Sequence, residues 1–241
     1  MDYYIGWDVG GWNCDHNRTS RDALCALAGN TWDTLALAGE PWRGNLREAL
    51  VGNNTLNTIL ANMAIWLNGD NAEGTTWAID TPLGWPDAFR ALLADNGNAV
   101  DVPEEAHQNP YLFRQTERWL TQQGFRPLSA VRDMIGSQST KGMHFLRRCG
   151  FGREAVGTWT ASSHTAIETY PRPVRTSATV RRSFERLNNP RWHQDIQDSL
   201  WCALVAAMFA LNRNALQQPE PNTPLEEGWI WIPNDFDAQH R

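Results

Sequence analysis

A mixed α/β fold, one sheet with helices on both faces, is what this sequence predicts, and three observations predict it. Short apolar runs of strand length crowd the first forty residues, apolar runs and helical periodicity alternate after that, and one segment from Leu200 to Leu211 is apolar without interruption. That last segment has the length of a buried helix and falls well short of the roughly 20 residues a bilayer span needs. The chain has 241 residues, 41% of them hydrophobic and 20% charged, a globular balance with enough length for a sizeable core.

Taken in order, "YYIGWD" (3–8) reads as a strand, and the Asn-, Asp- and Gly-rich stretch from Gly10 to Ser20 reads as a loop. "RDALCALAG" and "WDTLALAG" read as two further strands joined by a tight hairpin at Gly29-Asn30. From Gly44 to Asn68, Leu46, Leu50, Leu56, Ile59, Leu60, Met63 and Leu67 recur at spacings of three and four, which predicts a long amphipathic helix. "TTWAIDTPLG" is a fourth strand that ends at Asp80. Helical pieces are expected around Asp87 to Ala94, Tyr111 to Gln123 and Met143 to Cys149, with the polar "PLSAVRDMIGSQSTKG" as a loop between the last two. "TAIETYPRP" is a fifth strand, terminated by Pro171. Helices over about 177–187 and 192–214 follow, and the tail after Gln217 is proline-rich, with "WIWI" as an edge strand.

No linker is visible, so residues 1–241 read as one domain with a helical insertion at about 86–160 and a proline-rich C-terminal tail at about 215–241. The β-β-β-α-β-α-β-α order is that of the RNase H fold. In that fold a five-stranded mixed sheet carries helices on both faces, and strands one, four and five lie side by side and parallel, which requires helical crossovers.

In such a sheet the C-terminal ends of the parallel strands share one edge, where ligands of open α/β sheets bind. Asp8, Asp80 and Glu168 each fall at or near such an end. Each also has a local explanation: a turn into Gly10-Gly11, an Asx-turn before Thr81-Pro82, and an ion pair with Arg172 or Arg175. Together they predict convergence, and converging carboxylates need a positive partner. A divalent ion, Mg²⁺ or Mn²⁺, takes a few carboxylate oxygens and leaves positions for water and substrate phosphate. The final helix adds Asp195 and Asp198 in its first turns. The helix dipole accounts for Asp195 and suits Asp198, nearer the buried stretch, less well.

Net charge is −6, so the whole molecule is not a basic coat for nucleic acid. Between Lys141 and Trp192, however, ten basic residues face three acids, a segment where phosphates can dock. Arg172 and Arg175 lie in it, and with Lys141 and Ser139 of "SQSTKGMH" they are the candidate substrate contacts. Arg114 and Glu117 read as a solvent-facing ion pair, and His193 as a cap or an exposed side chain. Thirteen tryptophans predict core bulk first and ligand platforms second. The four cysteines form no C-x-x-C pair and suggest neither zinc nor disulfides, which with the unremarkable N-terminus points to a cytoplasmic protein.

"YIGWDVGGW", "WAIDTPLGWP", "RQTERWL", "AIETYPRP", "HQDIQDSLWCALVAA" and "EGWIWIP" together resemble the successive blocks of the domain of unknown function 429 family, which is predicted to be RNase H-like nucleases. The resemblance runs from Tyr4 to Pro233. It implies that Asp8, Asp80 and Asp198 match the family's acidic positions and that Glu168 with Tyr170-Pro171 matches an acidic-proline block. Asp198-Ser199 departs from the family's usual Asp-Ala step.

The expected activity is divalent-metal-dependent hydrolysis of nucleic acid phosphodiesters. Asp8, Asp80 and Asp198 are the metal ligands, Asp195 is a further one, and Glu168 is a fourth ligand or a base. Two other readings stay open: a non-catalytic nucleic-acid or protein-binding scaffold, and an actin-like phosphotransferase suggested by "DVGG" after the first strand. Against the last stands length, since such proteins pair two copies of this fold and this chain has residues for one.

Overall fold

The computed structural model describes residues 2–51, 55–56, 58–59, 74–96 and 98–238. Among these residues the chain forms one mixed sheet of nine strands with helices against it. The strands are β1 (Tyr3–Asp8), β2 (Asp22–Ala28), β3 (Ala36–Leu37), β4 (Trp42–Gly44), β5 (Thr75–Asp80), β6 (Gly152–Ala155), β7 (Thr158–Ala161), β8 (His164–Thr169) and β9 (Ile230–Trp231). The helices are α1 (Arg47–Val51), α2 (Asp87–Leu93), α3 (Gln115–Gln122), α4 (Gly136–Arg148), α5 (Pro171–Val174), α6 (Ala178–Leu187) and α7 (Gln194–Asn212).

Strand order is β3-β2-β1-β5-β8-β7-β6, with β4 also paired to β2 and β9 to β8. β1, β5 and β8 are parallel neighbours, and β2 runs antiparallel to β1. Because side chains alternate along a strand, each face is legible from parity. Tyr3, Ile5, Trp7, Trp77 and Ile79 lie on one face with Phe145 and Leu146 of α4. Tyr4, Ala78 and Ile167 lie on the other, under the apolar run of α7.

The helix α7 reaches its position because β1 has glycine at position 6. A Cβ there would lie 1.9 Å from the Ser199 carbonyl oxygen and 2.2 Å from the Ala203 nitrogen, so only glycine lets the helix backbone sit directly on the strand. That contact brings the residue before Ser199, Asp198, toward the end of β1.

Several elements differ from expectation. "WDTLALAG" gives only the two-residue β3, because Trp32–Thr34 closes into a 3-10 turn in which Thr31 and Thr34 cap each other, and no tight hairpin forms at Gly29-Asn30. The unpredicted β4 then supplies a second partner for β2. Of the long helix expected from Gly44 to Asn68, α1 covers Arg47–Val51, Thr55 is not helical, and most of the remainder lies outside the described residues. Within the expected helical insertion lies a β hairpin, β6-β7, turning at Val156-Gly157, with Gly157 at φ 68°. The expected loop before Met143 is helical from Gly136 onward.

The tail is an integral part of the sheet. β7 pairs with β8 only as far as Ile167, and β9 takes over that edge at Glu168 and Thr169. Trp229 and Trp231 are fully buried, as are Trp7 and Trp77, so these four tryptophans serve the core. All four cysteines are free thiols. No helix among the described residues is long and apolar enough to cross a membrane.

Candidate functional site

β1 and β5 end in register, with Asp8 directly opposite Asp80 on neighbouring parallel strands about 4.8 Å apart. Both project from the α7 face, by the parity that puts Tyr4 and Ala78 there. They border a cavity of about 190 Å³ whose walls include Pro82, Leu128, Ile135 and Tyr170. Among the described residues neither carboxylate has a hydrogen-bond or ion-pair partner, although both are half-buried. Burial pushes the pKa of Asp8 well above the usual carboxylate range, and Asp80, Asp198, Asp195 and Asp22 raise it further. Asp80 is raised in the same way by burial and then by Asp198 and Glu168, opposed only by Arg175.

Asp198 therefore belongs to the same electrostatic cluster, but its oxygens are engaged. Arg175 donates to its Oδ1, and the Gln194 amide lies 3.1 Å from both oxygens. No group of three or more His, Cys, Asp or Glu side chains stands in metal-holding geometry among the described residues. The donor set nevertheless fits a magnesium-type ion, which is commonly held by one or two carboxylates, with water and substrate phosphate filling its shell. Asp8 and Asp80 supply two such carboxylates lacking any cation of their own.

Glu168 was expected to converge with them and does not. Its register partner on β5 is Ile79 and not Asp80, so it projects from the opposite face. There Arg114 grips it bidentately, at 2.6 Å and 2.7 Å, and the Leu83 amide donates to it at 2.9 Å. It lines the cavity only as a clamped wall. Arg114 is fully buried and also pairs with Glu117, so the predicted solvent-facing pair is in fact a buried Glu117–Arg114–Glu168 triad. Burial pushes Glu117 up to about 7. Nearby, Glu227 accepts from the backbone amides of Asp87 and Gln115 and so caps both α2 and α3.

Asp195 is likewise committed elsewhere. It accepts from Arg43 Nε at 2.8 Å and from the Arg21 amide at 2.9 Å, and His193 caps its backbone nitrogen, as the capping alternative for that histidine anticipated.

Lys141 and Ser139, expected to face substrate, are both fully buried. The Lys141 ammonium pairs with Asp22 and donates to the Gly11 carbonyl and Asn45 Oδ1, while Ser139 bonds back to the Ile135 carbonyl in its own helix. Ser137 and Thr140 hold the amide and indole of Trp12. The "SQSTK" run therefore anchors the loop that follows Asp8. Asp22 completes that anchor: it accepts from the Gly10 amide, the Leu46 amide and the Trp7 indole. Sequence reasoning missed Asp22, whose only signal is a carboxylate opening the otherwise apolar "DALCALA".

Of the predicted substrate arginines, Arg172 is exposed beside Tyr170 at the cavity and Arg175 lies between the cluster and solvent. Comparison with family models, curated proteins and solved structures finds no match. The resemblance to the domain of unknown function 429 family therefore rests on the quoted residues alone.

Proposed function

We propose that the protein is an RNase H-like, divalent-metal-dependent hydrolase of nucleic acid phosphodiesters. The observation that carries the reading is the Asp8–Asp80 pair: two adjacent carboxylates in a cavity at the C-terminal edge of parallel strands, with no hydrogen-bonded or ion-paired cation among the described residues. Placing such a pair without compensation costs free energy, and sites that keep such an arrangement are frequently functional. The β3-β2-β1-β5-β8 order supports the fold assignment, since it matches the antiparallel trio followed by two parallel strands of that fold. The six-block resemblance points the same way.

In this reading Asp8 and Asp80 hold Mg²⁺ or Mn²⁺, and Asp198 joins them. A bound divalent ion supplies an activated water and stabilises the leaving oxygen. Arg172 and Arg175 orient the phosphodiester, which guanidinium groups bind in a planar, two-pronged fashion. Glu168 stiffens the cavity wall through Arg114 and touches no reacting atom.

Cleavage of labelled DNA and RNA oligonucleotides by purified protein, with Mg²⁺ or Mn²⁺ against EDTA, tests this. Metal-dependent cleavage lost in Asp8→Asn with an unchanged circular dichroism spectrum is expected. Cleavage that survives Asp8→Asn rejects the assignment. A second reading, a binding module without chemistry, is favoured by one observation, the engagement of Asp198 with Arg175. It predicts oligonucleotide binding in EDTA and no cleavage under any metal.

A further inference from the structure

Arg175 is placed unlike the other cations around the sheet edge. Lys141, Arg114 and Arg43 are buried or nearly so against the carboxylates they neutralise. The Arg175 side chain is 42% exposed and meets an Asp198 side chain that is 18% exposed. Its backbone, in contrast, is fixed. The Arg175 amide, just past the end of α5, donates to the Pro171 carbonyl at its start, and the Arg175 carbonyl receives Nε and Nη2 of Arg181. Two residues on, Ser177 caps α6 through the Val180 amide. The geometry is that of a part-exposed cation on a fixed backbone, beside a carboxylate pair with no hydrogen-bond or ion-pair partner among the described residues.

We propose that Arg175 is a tethered counter-ion which occupies Asp198 until a divalent ion displaces it, and which then passes to the phosphate of the substrate. The inference rests on the metal reading and extends it. It accounts for two findings together: among the described residues Asp8 and Asp80 have no hydrogen-bond or ion-pair partner, yet no three acidic side chains are gathered for a metal. The third carboxylate is turned to the guanidinium. A part-hydrated ion pair is worth little, so exchanging it for a doubly charged ion costs little. Arg172 and Arg175 both lie near Tyr170, which lines the cavity, so a phosphodiester entering there would meet both. Metal and phosphate binding are then reciprocal: each takes the partner that the other must lose.

The test is calorimetric titration of Mn²⁺ alone into the full chain, with Arg175→Gln, Arg175→Lys and Arg182→Gln compared. Arg175→Gln is expected to bind Mn²⁺ about five- to tenfold more tightly than the natural protein, the gain from removing a competing, partly screened cation. Arg175→Lys, which keeps a charge without the planar fork, falls between them. Arg182→Gln, which removes an exposed charge from α6 without touching the Arg175 mount, leaves the affinity unchanged. Equal or weaker binding in Arg175→Gln overturns the proposal, and so does equal tightening in Arg182→Gln, which would make the effect one of general field. In either case the metal reading stands. If the natural protein shows no Mn²⁺ binding, the metal reading falls and this inference falls with it.

Discussion

Two sets of carboxylates lie at the same edge of this sheet and are treated in opposite ways. Asp22, Asp195, Glu117 and Glu168 each have a cation from the chain itself: Lys141, Arg43 and, for the last two, Arg114. Asp8 and Asp80 have none among the described residues. Three of the first set, Asp22, Glu168 and Asp195, accept from backbone amides of residues far away in the chain, Leu46, Leu83 and Arg21, and so fix loops around the site. The second set borders open volume. Where the fold supplies the positive charge, a carboxylate becomes part of the framework; where it does not, the group keeps a proton or, on the reading proposed above, takes up a cation.

The sharpest way to break this contrast is to remove a framework cation. Arg114→Ala leaves Glu117 and Glu168 buried without a partner, and a loss of about 3–5 kcal/mol is expected in urea unfolding. An unchanged midpoint would show that the triad does not hold the wall.

Next in size, and opposite in sign, is Asp80→Asn. Burial raises the Asp80 pKa in the folded state, so the folded protein holds a proton that the unfolded chain releases near pH 4. Stability of the metal-free protein must fall as pH rises from that unfolded value toward the raised folded one, and the penalty is complete above it. The neutral asparagine avoids the penalty. Asp80→Asn should stabilise the metal-free protein by about 0.5–2 kcal/mol near neutrality, with the gain vanishing toward pH 4. Thermal melts across pH measure it, and a destabilised Asp80→Asn would place Asp80 in the framework set.

The smallest effect belongs to Asp195→Asn. It loosens the part-exposed pair with Arg43 at a cost of about 1 kcal/mol and leaves Mn²⁺ affinity unaltered. A large drop in that affinity would return Asp195 to the ligand set.

The same contrast explains what was legible in the sequence. Asp8 and Asp80 were readable because each closes an apolar run at a residue pair that ends a strand, Gly10-Gly11 or Thr81-Pro82. Asp198 was readable because it precedes a run that is apolar on every side. Glu168 was misread for a reason of parity. Its strand was placed correctly, but a one-residue offset in register between β5 and β8 puts it on the other face, and nothing local reveals that offset. The role of Lys141 was hidden because its partner Asp22 is 119 residues away and belongs to a strand with no other charge. β6 and β7 escaped notice as four-residue strands, the first carrying Arg153 and Glu154 and too short for periodicity to register. The tail was recognised as a strand, while its place beside β8 was set by where β7 stops.

The most direct measurement is an anomalous-difference map from a crystal of the full chain soaked in Mn²⁺. A peak within bonding distance of both Asp8 and Asp80, with Glu168 still held by Arg114, is the predicted result. A map without that peak, in which Asp8 and Asp80 are each bonded to protein groups, would contradict the account.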